Sequence, residues 1–207
     1  MDIVAIISQK GGAGKTTLAV NLAVAAELQD VPTVIIDLDP QASAKTWHDL
    51  RGKDGPVVVS AQASRMSEVI EVARSNAAEL IIIDTAPHSE SGALGAARAA
   101  DLVLIPCRPA ILDLRAIGTS GDLAALAKKE AVVVLNSVPH QGKLAEEAAE
   151  AVRSYGLSLA PVKLTQRAAY VHSLTAGQAV RRTRRPGFLL WSCRGRALLG
   201  PPRCSPR

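Results

Sequence analysis

Wholly apolar runs recur along the chain at short intervals, and the stretches between them carry helical spacing. The runs predict strands over about 3–7, 34–36, 57–59, 80–84, 101–106 and 132–136. They are continuously apolar rather than alternating, and such runs suit strands buried on both faces of a parallel sheet. The first helix is expected from Lys15 to about Gln29, with Leu18, Leu22 and Ala25/Ala26 on one face and Pro32 barring continuation. Further helices are expected over 42–51, 64–77, 89–99, 112–128, 144–155 and from Thr165 to near Gly177. Ser64 is placed to cap one of them, and the helix over 112–128 is expected to break near Gly118–Gly121. Strand and helix in alternation predict an α/β fold, a mostly parallel doubly wound sheet with helices on both faces. Hydrophobic residues make up 48% of the chain and aromatics only 2%, so the core is aliphatic.

Polar residues gather where the predicted strands end. After the first strand comes Ser8-Gln9-Lys10-Gly11-Gly12-Ala13-Gly14-Lys15-Thr16-Thr17. Gly11, Gly12 and Gly14 let the backbone curl, so that its amides form a nest for a phosphate. The helix that starts near Lys15 aims its positive end at the same place. Lys15 suits the β/γ-phosphate oxygens, and the Thr16 hydroxyl suits Mg²⁺. The second strand ends in Asp37-Leu38-Asp39-Pro40-Gln41, which sets two carboxylates on one side of an extended segment. Such a pair can hold Mg²⁺ through water and orient an attacking water. The fourth ends in Asp84-Thr85-Ala86-Pro87, the general form of a water-mediated Mg²⁺ contact. A strand-end turn is the bland reading of either acid alone; strand, glycine loop, helix and acids in this order favour a nucleotide site.

The glycine loop departs from the common phosphate-loop pattern, whose first glycine falls on Gln9, and carries a second lysine, Lys10. In this it resembles the deviant Walker A loop of the ParA/MinD group of P-loop ATPases. The D-x-D-P-Q run at 37–41, the D-T-A-P run at 84–87 and the P-x-x-P run at 106–109 resemble further segments of that group. Over residues 1–180 the chain looks closest to single-domain, plasmid-type ParA proteins. The resemblance implies an ATPase using ATP/ADP and Mg²⁺, with Lys10, Lys15 and Asp39 catalytic. Gly11, Gly12, Ala13, Gly14, Lys15, Thr16, Thr17, Asn136 and Pro161 would contact the nucleotide, and Thr16, Asp37 and Asp84 the metal. It implies a homodimer closed around ATP, with Lys10 projecting outward to the partner's phosphates. It also implies non-specific DNA binding and a ParB-like, centromere-binding partner that stimulates hydrolysis, in plasmid or chromosome partition. The location expected is cytoplasmic, at the nucleoid.

Other residues are weighed against plainer roles. Asn136 can offer donor and acceptor to a base edge. Trp47 is expected to pack and His48 is assigned no role. Cys107 stands alone in the body of the chain, so a bridged metal cluster, as in a reductase relative, lacks ligands. A MinD-like division-site ATPase would need a membrane-binding helix, for which 188–191 are too short. A nucleotide-dependent scaffold without catalysis could dispense with Asp39, which is present. No run reaches the ~18 apolar residues that span a bilayer, and the early first strand is expected to leave no signal peptide.

The net charge of +5 conceals a division. Residues 181–207 hold eight arginines and no acid, leaving 16 basic against 19 acidic residues before them. The resemblance ends at Val180, so an ATPase domain is expected over 1–180 and an atypical, poorly ordered basic tail over 181–207. A DNA-binding tail, a membrane-touching segment and a translated wrong frame are the three readings, and the abrupt change of composition favours the last.

Overall fold

Each apolar run becomes a strand of one sheet. The computed structural model describes residues 1–52 and 55–179; the expectations for 181–207 lie outside them. The strands are β1 (Asp2–Ile6), β2 (Thr33–Asp37), β3 (Val57–Ser60), β4 (Leu80–Asp84), β5 (Leu102–Cys107), β6 (Ala131–Leu135) and β7 (Ser158–Leu159). All pair in parallel, in the order β3-β2-β4-β1-β5-β6-β7. The crossovers are helices: α1 (Lys15–Glu27), α2 (Ser43–Arg51), α3 (Met66–Ser75), α4 (Glu90–Ala99), α5 (Ile111–Leu126) and α6 (Leu144–Ser154); α7 (Ala168–Thr175) follows β7.

The continuity of the apolar runs has its cause in this layering. Ile3, Ala5 and Ile7 face one core with residues of α3, α4 and α5, while Val4 and Ile6 face a second core with residues of α1 and α2. Successive side chains point to opposite faces, and both faces are covered. Trp47 packs as expected: it is 3% exposed, its indole N–H donates to the Gln178 carbonyl at 2.9 Å, and the Arg51 guanidinium lies over its ring.

Three expectations change. First, α1 is buried on nearly every side, Ala19, Val20, Asn21 and Ala23 included, because it lies on the sheet and beneath α2. Second, α5 runs unbroken through Gly118 and Gly121. Both glycines sit under neighbouring side chains: a Cβ on Gly118 would come within 3.2 Å of the Tyr155 ring, and one on Gly121 within 3.1 Å of Leu157. They let the chain pack closely rather than break the helix. Third, Ser64 does not cap α3; it lies inside a 3₁₀ turn, Ala63–Arg65, that leads into the helix.

The order of the strands positions the site. β1 is central, with β4 and β2 on one side and β5 and β6 on the other. Register sets Ile6 beside Asp84, and Asp84 beside Asp37. The loop after β1 therefore rises next to two strand-end carboxylates, at the carboxyl edge where such sheets bind ligands.

Candidate functional site

The loop after β1 has the shape of an anion nest. Gly14 takes a left-handed conformation (φ 98°) as the N-cap of α1, and Gly12 is also left-handed (φ 71°). Gly11 is not, so two of the three glycines carry the curl. No side chain caps α1, and its first turn holds no acidic residue. The leading amides and the positive end of the helix are left to an incoming anion. Lys15 is 7% exposed, and its ammonium donates to the carbonyls of Ser8 (3.2 Å) and Lys10 (3.4 Å). Burial lowers its pKa, while the charges of Asp84 and Asp39 pull the other way.

Across from Lys15 lies Asp84, 1% exposed, with no hydrogen-bond partner on either carboxylate oxygen. Burial is the main reason its pKa is pushed up to about 7. Asp37 and Asp39 add to the rise, and the Thr16 hydroxyl, facing it outside full hydrogen-bond geometry, opposes it with Lys15. A buried carboxylate without a donor, beside a hydroxyl and next to an anion nest, fits a divalent cation held with phosphate. Among the described residues no cluster of three or more His, Cys, Asp or Glu side chains forms a metal site on its own. A cation here would therefore draw its remaining ligands from phosphate and water.

Asp37 is buried, and both its oxygens accept backbone amides. Its Oδ1 accepts the Asp39 N–H (3.1 Å), and its Oδ2 accepts those of Ala44 (3.0 Å) and Lys45 (3.2 Å). It ties the loop after β2 to the start of α2 while burial raises its pKa. Asp39 is half-buried, with Oδ1 accepting the Gln41 N–H at 2.9 Å. It lies close enough to Lys15 and Asp84 to act on both electrostatically.

Lys10 departs from expectation. It does not project outward but folds back onto Asp113 of its own subunit, which also accepts from Arg108 at 2.7 Å. Asp113 is only 3% exposed; burial disfavours its charge, but Arg108 and Lys10 together hold its carboxyl below the usual range. A lysine at the loop entrance takes the nearest anion within reach. Asp113 escaped the sequence reading because one acid in a helix's first turn is an ordinary helix feature. Thr85, named only as part of the D-T-A-P run, is buried, and its hydroxyl donates to the Ile6 carbonyl (2.9 Å), fastening β4 to β1.

The two expected base contacts are not brought into one cavity. Pro161 lines a cleft of about 290 Å³ with Leu135, Ala145, Ala149 and Leu159; Asn136 is not among its lining residues. The Asn136 amide instead donates to the Ala13 carbonyl at 2.9 Å. A larger groove, about 850 Å³, lies between α3 and β2–β3, and none of the phosphate-loop residues or strand-end acids lines it.

The comparisons agree with this fold. Residues 4–178 match the model of the CobQ/CobB/MinD/ParA nucleotide binding domain. The chain is similar to the maintenance of carboxysome distribution protein A of Gloeobacter kilaueensis: 38% identity over 113 residues, 54% of this chain and 51% of that protein. It is also similar to protein ParA of Rhizobium radiobacter, with 30% identity over 64% of this chain and 60% of that protein. The chain thus spans only about half of the first relative's length. Among solved structures it shares its fold with the septum site-determining protein MinD of Pyrococcus horikoshii, complexed with Mg-ADP: TM-score 0.70, 17% identity, 86% of each chain covered.

Two outcomes follow from the charges. Raised above its unfolded value, the Asp84 pKa means that the folded chain binds a proton the unfolded chain releases. The penalty is absent below pH ~4, grows as pH rises, and is complete above about 7. Asp84→Asn should therefore stabilise the ligand-free protein at pH 8, by up to ~4 kcal/mol at about 1.4 kcal/mol per unit, and by much less at pH 4. Thermal melts at the two pH values check this, and equal shifts would remove the electrostatic cause. Asp113→Ala frees Lys10 and should speed modification of Lys10 by a small amine-reactive reagent several-fold, read by peptide mass spectrometry. An unchanged rate would mean that the ion pair does not hold in solution.

Proposed function

The chain belongs to the CobQ/CobB/MinD/ParA nucleotide-binding family, and on that premise we propose that it is a magnesium-dependent ATPase of the partition type. The observation that carries the reading is the buried, unpartnered Asp84 beside Lys15 and Thr16, under the uncapped start of α1. Thr16 and Asp84 would hold Mg²⁺, with Asp37 keeping the neighbouring loop in place. When bound, the cation neutralises charge on the β/γ-phosphate oxygens. Residues 11–17 receive the phosphates, and Lys15 turns its ammonium onto the terminal ones. Asp39 orients the attacking water. Pro161 lies on the base side, and Asn136 bridges that side to the loop.

We place the active species as a homodimer closed around ATP, with Lys10 leaving Asp113 to reach the partner's phosphates. Face to face, each lysine would stabilise charge developing in the other site. The dimer binds DNA without sequence preference, drawing on the exposed Lys163 and Arg167. A separate partner protein stimulates hydrolysis and defines the cargo. Plasmid or chromosome partition is supported by the ParA relative, and the carboxysome-distribution relative supports a cargo other than a replicon. Such an ATPase works in the cytoplasm, on the nucleoid. A division-site protein like MinD would instead co-sediment with liposomes.

Two variants separate binding from turnover. Lys15→Ala should weaken Mg-ATP binding about 10- to 150-fold, since a hydrogen bond to a charged group contributes roughly 1.5–3 kcal/mol. Asp39→Ala should bind ATP normally and lose roughly 10²- to 10⁴-fold in turnover, the range for a lost general base. Calorimetry and phosphate release read the two; normal turnover in Asp39→Ala would refute its role. For DNA, Lys163→Ala with Arg167→Ala in the full chain should weaken ATP-dependent binding and flatten its salt dependence by about one unit of slope per lost phosphate contact. Unchanged binding would move the DNA surface elsewhere, residues 181–207 being the first place to look.

A further inference from the structure

The tip of the phosphate loop has little packed against it. Gly11 and Gly12 are exposed, and a Cβ on either would meet no atom within 4 Å. Two side chains bind the loop's own carbonyls. From one side Lys15 takes Ser8 and Lys10; from the other Asn136 takes Ala13. Asn136 is 8% exposed and anchored at three points. Its Nδ2 donates to the Ala13 carbonyl, its Oδ1 accepts the Ser137 N–H at 2.8 Å, and its backbone N–H donates to the Cys107 carbonyl at 2.7 Å. It stands at the end of β6 and reaches past β5 to the loop that follows β1. The fit is close: a Cβ on Gly14 would lie 2.0 Å from Nδ2 and 3.2 Å from the amide carbon.

The two side chains differ in what they must do next. Lys15 has to turn its ammonium onto phosphate oxygens to neutralise them, and it then lets go of the Ser8 and Lys10 carbonyls. Asn136 faces no such demand. Its remaining N–H and its second Oδ1 lone pair stay available while the Ala13 bond persists.

We propose that Asn136 is a positioning residue for the phosphate loop: it fixes the Ala13–Gly14 segment in the anion-binding conformation and ties it to the strand on the base side. A residue that only touched the base would leave the ligand-free loop, and the affinity for a phosphate chain without a base, unchanged. The proposal rests on the reading of residues 8–17 as a phosphate site, and the test separates the two.

The full chain is compared with Asn136→Ala by hydrogen–deuterium exchange without ligand, and by calorimetry with Mg-ATP and with magnesium tripolyphosphate. The amides of residues 11–17 should exchange about five- to tenfold faster in the variant, the effect of losing roughly one hydrogen bond. Tripolyphosphate and ATP affinities should fall by a similar factor. Unchanged exchange in that segment, with wild-type tripolyphosphate affinity, would overturn the proposal. If the wild-type chain binds neither ligand, the phosphate-site reading fails, and exchange alone still decides whether Asn136 holds the loop. Should Asn136→Ala not fold, Asn136→Asp keeps the acceptor for Ser137 but replaces the donor to Ala13 with a carboxylate oxygen that repels its carbonyl. It should show the same faster exchange, and wild-type protection in it would equally overturn the proposal.

Discussion

Two buried charges of opposite sign lie near one another in this protein without pairing. Lys15 gives two donors to loop carbonyls, and neither Asp84 oxygen accepts a hydrogen bond of full geometry. Burial depresses the first pKa and lifts the second. A direct ion pair would relieve both, yet the strand register fixes Asp84 at the end of β4 while the loop carries Lys15 toward Ser8 and Lys10. Each group keeps an unmet demand, one for an anion and one for a cation. A phosphate ester bound with a divalent metal meets both at once, whereas a free anion or a free cation meets only one. This is a physical reason for affinity toward the metal–nucleotide complex rather than toward either component. Ligand-free stability is reduced in return, as is usual where a site is held ready for its ligand.

The fold was largely legible because its signals are redundant. Apolar runs, β-branched residues and helical intervals all point to the same parallel sheet. The phosphate loop was legible for a different reason: glycines, a lysine and a threonine at fixed spacing have few other uses. What failed to show were properties that need the third dimension. Gly118 and Gly121 read as breaks because a single sequence does not reveal that Tyr155 and Leu157 lie against them. The full burial of α1 depends on α2 lying over it, and its small residues gave only a one-sided pattern. Asp37 was assigned to the metal by resemblance; alternation fixes the side of a strand but not which backbone amides will be there to claim its oxygens. Asp113 gave no signal, since its partners are 103 and five residues away and neither spacing is a motif.

Asn136 was read as a base contact from its position at the end of β6. Its amide, however, already serves the loop that follows β1. The sheet order explains why: β6 is two strands from β1, and an asparagine spans the gap left where β5 ends in Cys107. One short, buried side chain thus links the end of β6 to the loop that follows β1.

The arrangement around Asp113 bears on whether Lys10 can leave it, as the proposed dimer requires. If Lys10 were the sole partner of a carboxylate only 3% exposed, its departure would strand a buried charge, at a cost of several kcal/mol. Arg108 changes that balance. It holds the other oxygen of the same carboxylate at 2.7 Å, so Asp113 keeps a cation when Lys10 leaves. The two cations differ in kind, a single ammonium on a flexible stem against a planar guanidinium. One carboxylate with two cations is therefore a holder that can release one of them cheaply, and the lysine it releases starts at the entrance of the phosphate loop.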